Sequence, residues 1–182
     1  LAFDSAGALL GLGRLNGDRA GAAGSHVLQL LRCELALSTC QHFSPELNDS
    51  SISAFVIHPL DGSLLLADSA MGQLLKVNRA GQIVARATVP VHGHPVLRLH
   101  GGLLLMNSAD GPGISVLRYE DSAFGQQLDE ILLLPPAAQK AGQSRVGEFL
   151  WSGDSWWASL HNPESDSSGL YRFDEEWNYL EE

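Results

Sequence analysis

Basic residues are scarce in this chain. Eleven lysines and arginines stand against 21 aspartates and glutamates, a formal net charge of −10 over 182 residues. Nucleic-acid phosphates call for clustered Lys and Arg, so this balance argues against such a partner. Long apolar runs are also missing. The leucine stretches Leu64 to Leu66, Leu103 to Leu105 and Leu132 to Leu134 are strand-sized, far short of the ~20 residues of a spanning helix, so no membrane span is expected. No basic n-region opens the chain, and no signal-peptide pattern is read there. The first residue is Leu1, which predicts a processed product or an excised piece of a longer protein, with any targeting signal outside it. Catalytic signatures are absent as well: there is no Gly-x-Ser-x-Gly elbow and no Gly-x-x-x-x-Gly-Lys phosphate loop. Helix signals are weak. Ala20 to Gly24 and Pro136 to Gln143 read better as loops, because glycine and proline interrupt them.

What is present is a repeat. Apolar residues make up 45% of the chain and charged residues 18%, enough apolar surface for a packed core. Four segments share a short apolar strand, a tight turn and a second apolar strand. They run from Leu1 to Leu12, Phe55 to Asp68, Val96 to Asn107 and Phe149 to Leu160. Asp61-Gly62, Gly101-Gly102 and Gly153-Asp154 are hairpin-turn dipeptides. A third strand follows each, with apolar, polar, apolar alternation: Leu28-Gln29-Leu30, Leu75-Lys76-Val77, Leu117-Arg118-Tyr119 and Tyr171-Arg172-Phe173. Fourth strands are expected around Leu35 to Thr39, Gln82 to Thr88, Gln127 to Leu134 and Trp177 to Leu180. The units recur roughly every 40 to 55 residues, the spacing of β-propeller blades. The expected fold is therefore all-β: a β-propeller of about four four-stranded blades, near 1–48, 49–90, 91–138 and 139–182. Four such blades seldom close a ring, so the chain is expected to form part of a larger one. Missing blades, or a second copy in a homodimer, would then be partners.

The second unit resembles the NHL-type repeat of β-propellers. Asp61-Gly62 precedes an apolar strand that Ala67-Asp68-Ser69 closes, Leu75-Lys76-Val77 follows, and Ala80-Gly81 leads into the last strand. The third unit matches less well, with Asn107-Ser108 in place of Asp68-Ser69, and the fourth departs, with Leu160-His161-Asn162. Propellers similar in this way include the gluconolactonase and strictosidine-synthase-like groups. That resemblance implies a divalent metal held in a central channel by Glu, Asn and Asp.

Several side chains are candidates for chemistry. Asp68 and Asn107 are read as equivalent positions at the end of the second strand. Oxygens there suit Ca²⁺ at a channel mouth, or else bind the following turn's backbone. Glu148, before Phe149 on an inner strand, either points into the channel or is solvated. His92-Gly93-His94 places two imidazoles on one side of an extended segment, which suits zinc or copper. His58, His100 or His161 could join them; exposed loop histidines are the plainer reading. Trp156 and Trp157 are consecutive and face opposite sides of one strand, so one packs between blades. With Trp151 they form a cluster suited to the core or to a protein contact.

Cys33 and Cys40 are the only cysteines. Two readings compete. A hairpin turning near Ala36 and Leu37 would let them bridge, implying an oxidising, extracytoplasmic compartment. Aligning Arg32-Cys33-Glu34 with Arg79-Ala80-Gly81 puts the turn at Cys33 and separates the sulfurs by ~20 Å. Asn48-Asp49-Ser50 is formally a glycosylation acceptor. The expected function is a non-catalytic binding or scaffold module that presents loops to a protein or small-molecule partner, without a cofactor. The alternative is a Ca²⁺-dependent lactonase or hydrolase of the gluconolactonase-like class, with Asp68, Asn107 and Glu148 as ligands.

Overall fold

A computed structural model describes residues 2–3, 8–13, 29–43, 47, 51–91, 95–107, 111–133, 145–163 and 166–181. They form four four-stranded antiparallel sheets in which each strand pairs with its sequence neighbour. The first sheet holds β1 (Ala2–Phe3), β2 (Leu9–Gly13), β3 (Gln29–Glu34) and β4 (Thr39–His42), and the second β5 (Ile52–Ile57), β6 (Leu64–Asp68), β7 (Gln73–Val77) and β8 (Ile83–Thr88). The third holds β9 (Leu97–His100), β10 (Leu103–Asn107), β11 (Gly113–Leu117) and β12 (Gln127–Leu132). The fourth holds β13 (Arg145–Ser152), β14 (Ser155–Asn162), β15 (Ser167–Phe173) and β16 (Tyr179–Glu181). The chain divides into two compact units, Leu1–Val91 and His92–Glu182, each with two sheets. Among the described residues there is no α-helix, only short 3-10 turns such as Leu35–Leu37 and Asp121–Ala123.

The alternation that marks these strands also builds their cores. In the first unit Leu10 and Leu30 of the first sheet pack with Leu64, Leu66, Leu75 and Val77 of the second. In the second unit Leu105, Ile114 and Val116 of the third sheet pack with Phe149, Trp156 and Phe173 of the fourth. Each side chain taken fully out of water this way contributes about 1.5–3 kcal/mol. Two of the three expected two-residue turns are in place: Gly101-Gly102 sets His100 opposite Leu103, and Gly153-Asp154 sets Ser152 opposite Ser155. Asp61-Gly62 instead lies in a longer connection, since Ile57 and Leu64 are the last strand pair and His58 N–H donates to the Ser63 carbonyl at 2.8 Å.

Several boundaries differ from the sequence reading. The last strand, expected from Trp177, begins at Tyr179, and Trp177 lies in the turn before it. In the first sheet the third strand runs on to Glu34, and Leu35–Leu37 form a 3-10 turn rather than a fourth strand. Cys33 therefore sits directly opposite Cys40, and a disulfide joins them, with Cα atoms 4.0 Å apart. The alternative turn at Cys33 fails because β3 and β4 stay paired through Glu34 and Thr39. In the third sheet β11 ends at Leu117, so Arg118 and Tyr119 belong to the following turn. Leu28, His92 to His94, Asn48 to Ser50, Ser108, Ala20 to Gly24 and Pro136 to Gln143 lie outside the described residues.

Candidate functional site

Asp68 and Asn107 are not equivalent, although each closes the second strand of its sheet. Leu64 pairs with Val77 and Leu104 with Leu117, in each case the last pair before the hairpin to the fourth strand. Asp68 lies four residues beyond Leu64, whereas Asn107 lies three beyond Leu104. Strand side chains alternate, so the two point to opposite faces of their sheets. Their bonds follow from that. Asp68, fully buried, accepts from the backbone N–H groups of Ser51 (3.2 Å), Ala70 (3.1 Å) and Met71 (3.3 Å), and from Gln73 Nε2 (3.3 Å). It ties down its own turn. Asn107 accepts from Val96 N–H at 2.7 Å and donates through Nδ2 to the Val146 and Gly147 carbonyls at 2.8 and 3.2 Å. Its amide links the third sheet to the first strand of the fourth, which a carboxylate without a donor could not do.

Glu148 is exposed on β13 and forms an ion pair with Arg98 at 3.0 Å. His58 meets Asp61 at 3.0 Å, His161 meets the Ser168 hydroxyl at 3.1 Å, and His100 packs on Trp151 and Trp156 with ring centroids 4.7 Å away. Among the described residues, no group of three His, Cys, Asp or Glu is placed to hold a metal. Trp156 is buried in the core, and Trp157, on the opposite face, carries the Arg172 guanidinium 5.9 Å from its ring centre.

A solvent-open cavity of about 360 Å³ lies within the first unit, between its two sheets. Leu10 and Leu64, both buried, line it together with Phe43 and Ile57. Two cations, Arg32 and Arg79, line it as well, with Gly62 and Gly81 beside them. Arg79 Nε–H donates to the Asp61 carbonyl at 2.6 Å. Its guanidinium lies against Gly62, where a Cβ would come within 2.5 Å of Nε, so any side chain there displaces the arginine. The neighbouring Asp61 carboxylate is turned into its own turn: burial pushes its pKa up. Hydrogen bonds from the Ser63 hydroxyl and N–H, with the His58 and Lys76 charges, outweigh that and hold it below the ordinary 3.8.

The second unit has the same hairpin with bulkier side chains around it. Asn78 N–H donates to Gln82 O at 2.9 Å and Gly81 N–H to Asn78 O at 3.0 Å; Asp174 and Asn178, then Trp177 and Asp174, repeat this at 3.0 and 3.1 Å. Gly81 and Trp177 share a left-handed backbone, φ +82° and +66°. Ile57 pairs with Leu64 as Trp151 pairs with Trp156. Three cavity-lining residues, Ile57, Leu64 and Gly81, thus correspond to three tryptophans. Trp177 stacks on Trp156 at 4.3 Å and 16°, and Trp151 meets Trp156 edge-on at 5.3 Å. The cavity was not legible in the sequence; its one signal was the concentration of tryptophan in the last unit and its absence from the first two.

Comparison with known proteins shows the architecture. No family model matches the chain, and no curated protein does. Solved β-propeller structures do match. Virginiamycin B lyase from Staphylococcus aureus aligns with a TM-score of 0.60 and 12% identity, over 100% of this chain and 53% of that one. A β-propeller domain from Myceliophteria thermophila aligns with a TM-score of 0.56 and 15% identity, over 85% and 53%. A putative 6-phosphogluconolactonase from Bacteroides fragilis aligns at 0.53 and 15%, over 85% and 50%. The chain is thus an all-β protein of four propeller-type blades, spanning about half the length of these structures. At such identities the likeness is one of fold.

Proposed function

We propose that the chain is a non-catalytic binding module made of propeller blades, and that its site is the cavity between the first two sheets. The observation that carries this reading is an open, half-apolar cavity lined by two arginines in a chain of net charge −10. Its volume lies in the range of small-molecule sites, which combine apolar walls with a few polar groups. On this reading the second sheet is an NHL-type repeat, and further blades or a second copy complete a larger ring. The Cys33–Cys40 bridge supports an extracytoplasmic setting.

Filling the cavity tests the site. Gly81→Trp gives the first unit the side chain that the second already carries on the same backbone. Small-molecule fragments that perturb NMR signals around Phe43 and Ile57 are expected to lose their effect in this variant. Fragments that bind both proteins equally would overturn the reading. No cofactor belongs to it, so calorimetric titration with Ca²⁺ is expected to give no stoichiometric heat. Tight Ca²⁺ binding lost on Asn107→Ala would favour the gluconolactonase-like alternative instead.

A further inference from the structure

Resting on that reading of the cavity, we propose that its ligand is a small monocarboxylate with an apolar body. The carboxylate sits on Arg79 and Arg32, and the body lies against Leu10, Phe43, Ile57 and Leu64.

Arg79 is the anchor. A free arginine side chain loses considerable rotamer entropy when it engages a ligand, but this one is already held, by the 2.6 Å bond from Nε to the Asp61 carbonyl and by its seat on Gly62. That bond uses only Nε. The two terminal nitrogens carry no hydrogen bond among the described residues, and they are the half of the fork that matches a carboxylate in bidentate fashion. The turn beneath is fixed independently: Asn78 Oδ1 accepts from Ala80 and Gln82 N–H at 3.0 Å each.

Charge selects a monoanion. Arg32 shares its charge with Glu34 at 3.4 Å, so it adds less than a full positive charge to that of Arg79. The rest of the chain is acidic and repels a dianion such as phosphate more strongly than a carboxylate. The walls select the remainder of the ligand. Leu10, Phe43, Ile57, Leu64 and Ala80 line the cavity, and apart from the two arginines Gln41 is its one polar side chain, so a largely apolar body is accepted and a strongly polar one would leave groups unpaired.

The experiment uses the intact chain with 2-naphthoate, its neutral isostere 2-naphthamide and inorganic phosphate, followed by calorimetry. A charge-assisted bond corresponds to about a tenfold or greater preference for the acid over the amide. In Arg79→Gln that preference is expected to collapse to about one, with amide affinity retained and the far-UV circular dichroism unchanged. In Gly81→Trp both ligands are expected to be lost. If acid and amide bind alike in the unaltered protein and both are lost in Gly81→Trp, the cavity stands as a site and the carboxylate inference falls. Phosphate binding the unaltered protein as tightly as 2-naphthoate does would also overturn the inference. If neither naphthyl compound binds, the inference and the binding-site reading fall together.

Discussion

In the first unit the hairpin from Asn78 to Gln82 places Gly81 where the second unit's hairpin, from Asp174 to Asn178, places Trp177. The flanking strands agree in register, and the left-handed residue agrees in conformation. What differs is the volume offered by three positions. Ile57, Leu64 and Gly81 leave a gap; Trp151, Trp156 and Trp177 fill one. The first unit answers with a cystine across its outermost hairpin, the second with an aromatic stack. Trp177 accepts a φ that disfavours non-glycine residues by about 1–2 kcal/mol, and its stacking on Trp156 and contact with Phe149 and Phe173 offset that cost. The same hairpin backbone thus carries small side chains beside an open cavity in the first unit and an aromatic stack in the second.

The strongest way to break the contrast is Trp156→Ala. This side chain is 1% exposed and meets Trp151, Trp177, Phe149 and His100. Its loss is expected to cost the second unit about 3–5 kcal/mol in urea denaturation followed by circular dichroism. A cost below ~1 kcal/mol would mean that the stack does not hold the unit together.

The cystine comes next. The Cys33→Ser, Cys40→Ser double variant is expected to lose about 2–3 kcal/mol, from the entropy of closing so short a loop. The loss should appear only in the first unit, and thiol titration of the unfolded, unreduced parent should find no free cysteine. Trp177→Gly sharpens the comparison further. It relieves the left-handed strain while removing the stack, so the net loss should be smaller, about 1–2 kcal/mol. It should also open a second-unit cavity that takes up an apolar fragment.

The smallest effect is acid sensitivity. Asp174 is held below 3.8 first by its hydrogen bond from Asn178, and Asp154 by bonds from Ser155 and Arg172; in the first unit Asp61 is the corresponding group. A carboxylate with a lowered folded pKa adds stability above its unfolded value, and that stability is lost as pH falls through the folded one. Melting temperatures should therefore hold steady down to about pH 4 and decline below it, slightly more for the second unit. Asp61 and Asp154 are exposed and Asp174 is partly so, and solvent and salt keep the change small.

Much of the architecture was legible. Leu75-Lys76-Val77 and Tyr171-Arg172-Phe173 fall in β7 and β15, and Gly101-Gly102 and Gly153-Asp154 make the hairpins expected of them. These features are local: period-two alternation and turn chemistry operate over a few residues. The equivalence of Asp68 and Asn107 failed because it depends on register, and a one-residue offset sends a side chain to the other face of its sheet. The hairpin carrying the cysteines was ambiguous for the same reason, since two alignments of Arg32-Cys33-Glu34 differ in where pairing stops.

The sequence by itself determined that this protein is made of four short antiparallel meanders, because hydrophobic alternation and turn residues act along the chain. Tertiary structure decided where the gap lies. Whether Gly81 is merely a turn residue or the mouth of a cavity depends on Leu10, Phe43 and Ile57, which come from other strands. The same holds for Asn107, whose Nδ2 finds its acceptors on β13, 39 and 40 residues away. Volume and hydrogen-bond partners across sheets are set by packing, and no window of the sequence contains both sides of them.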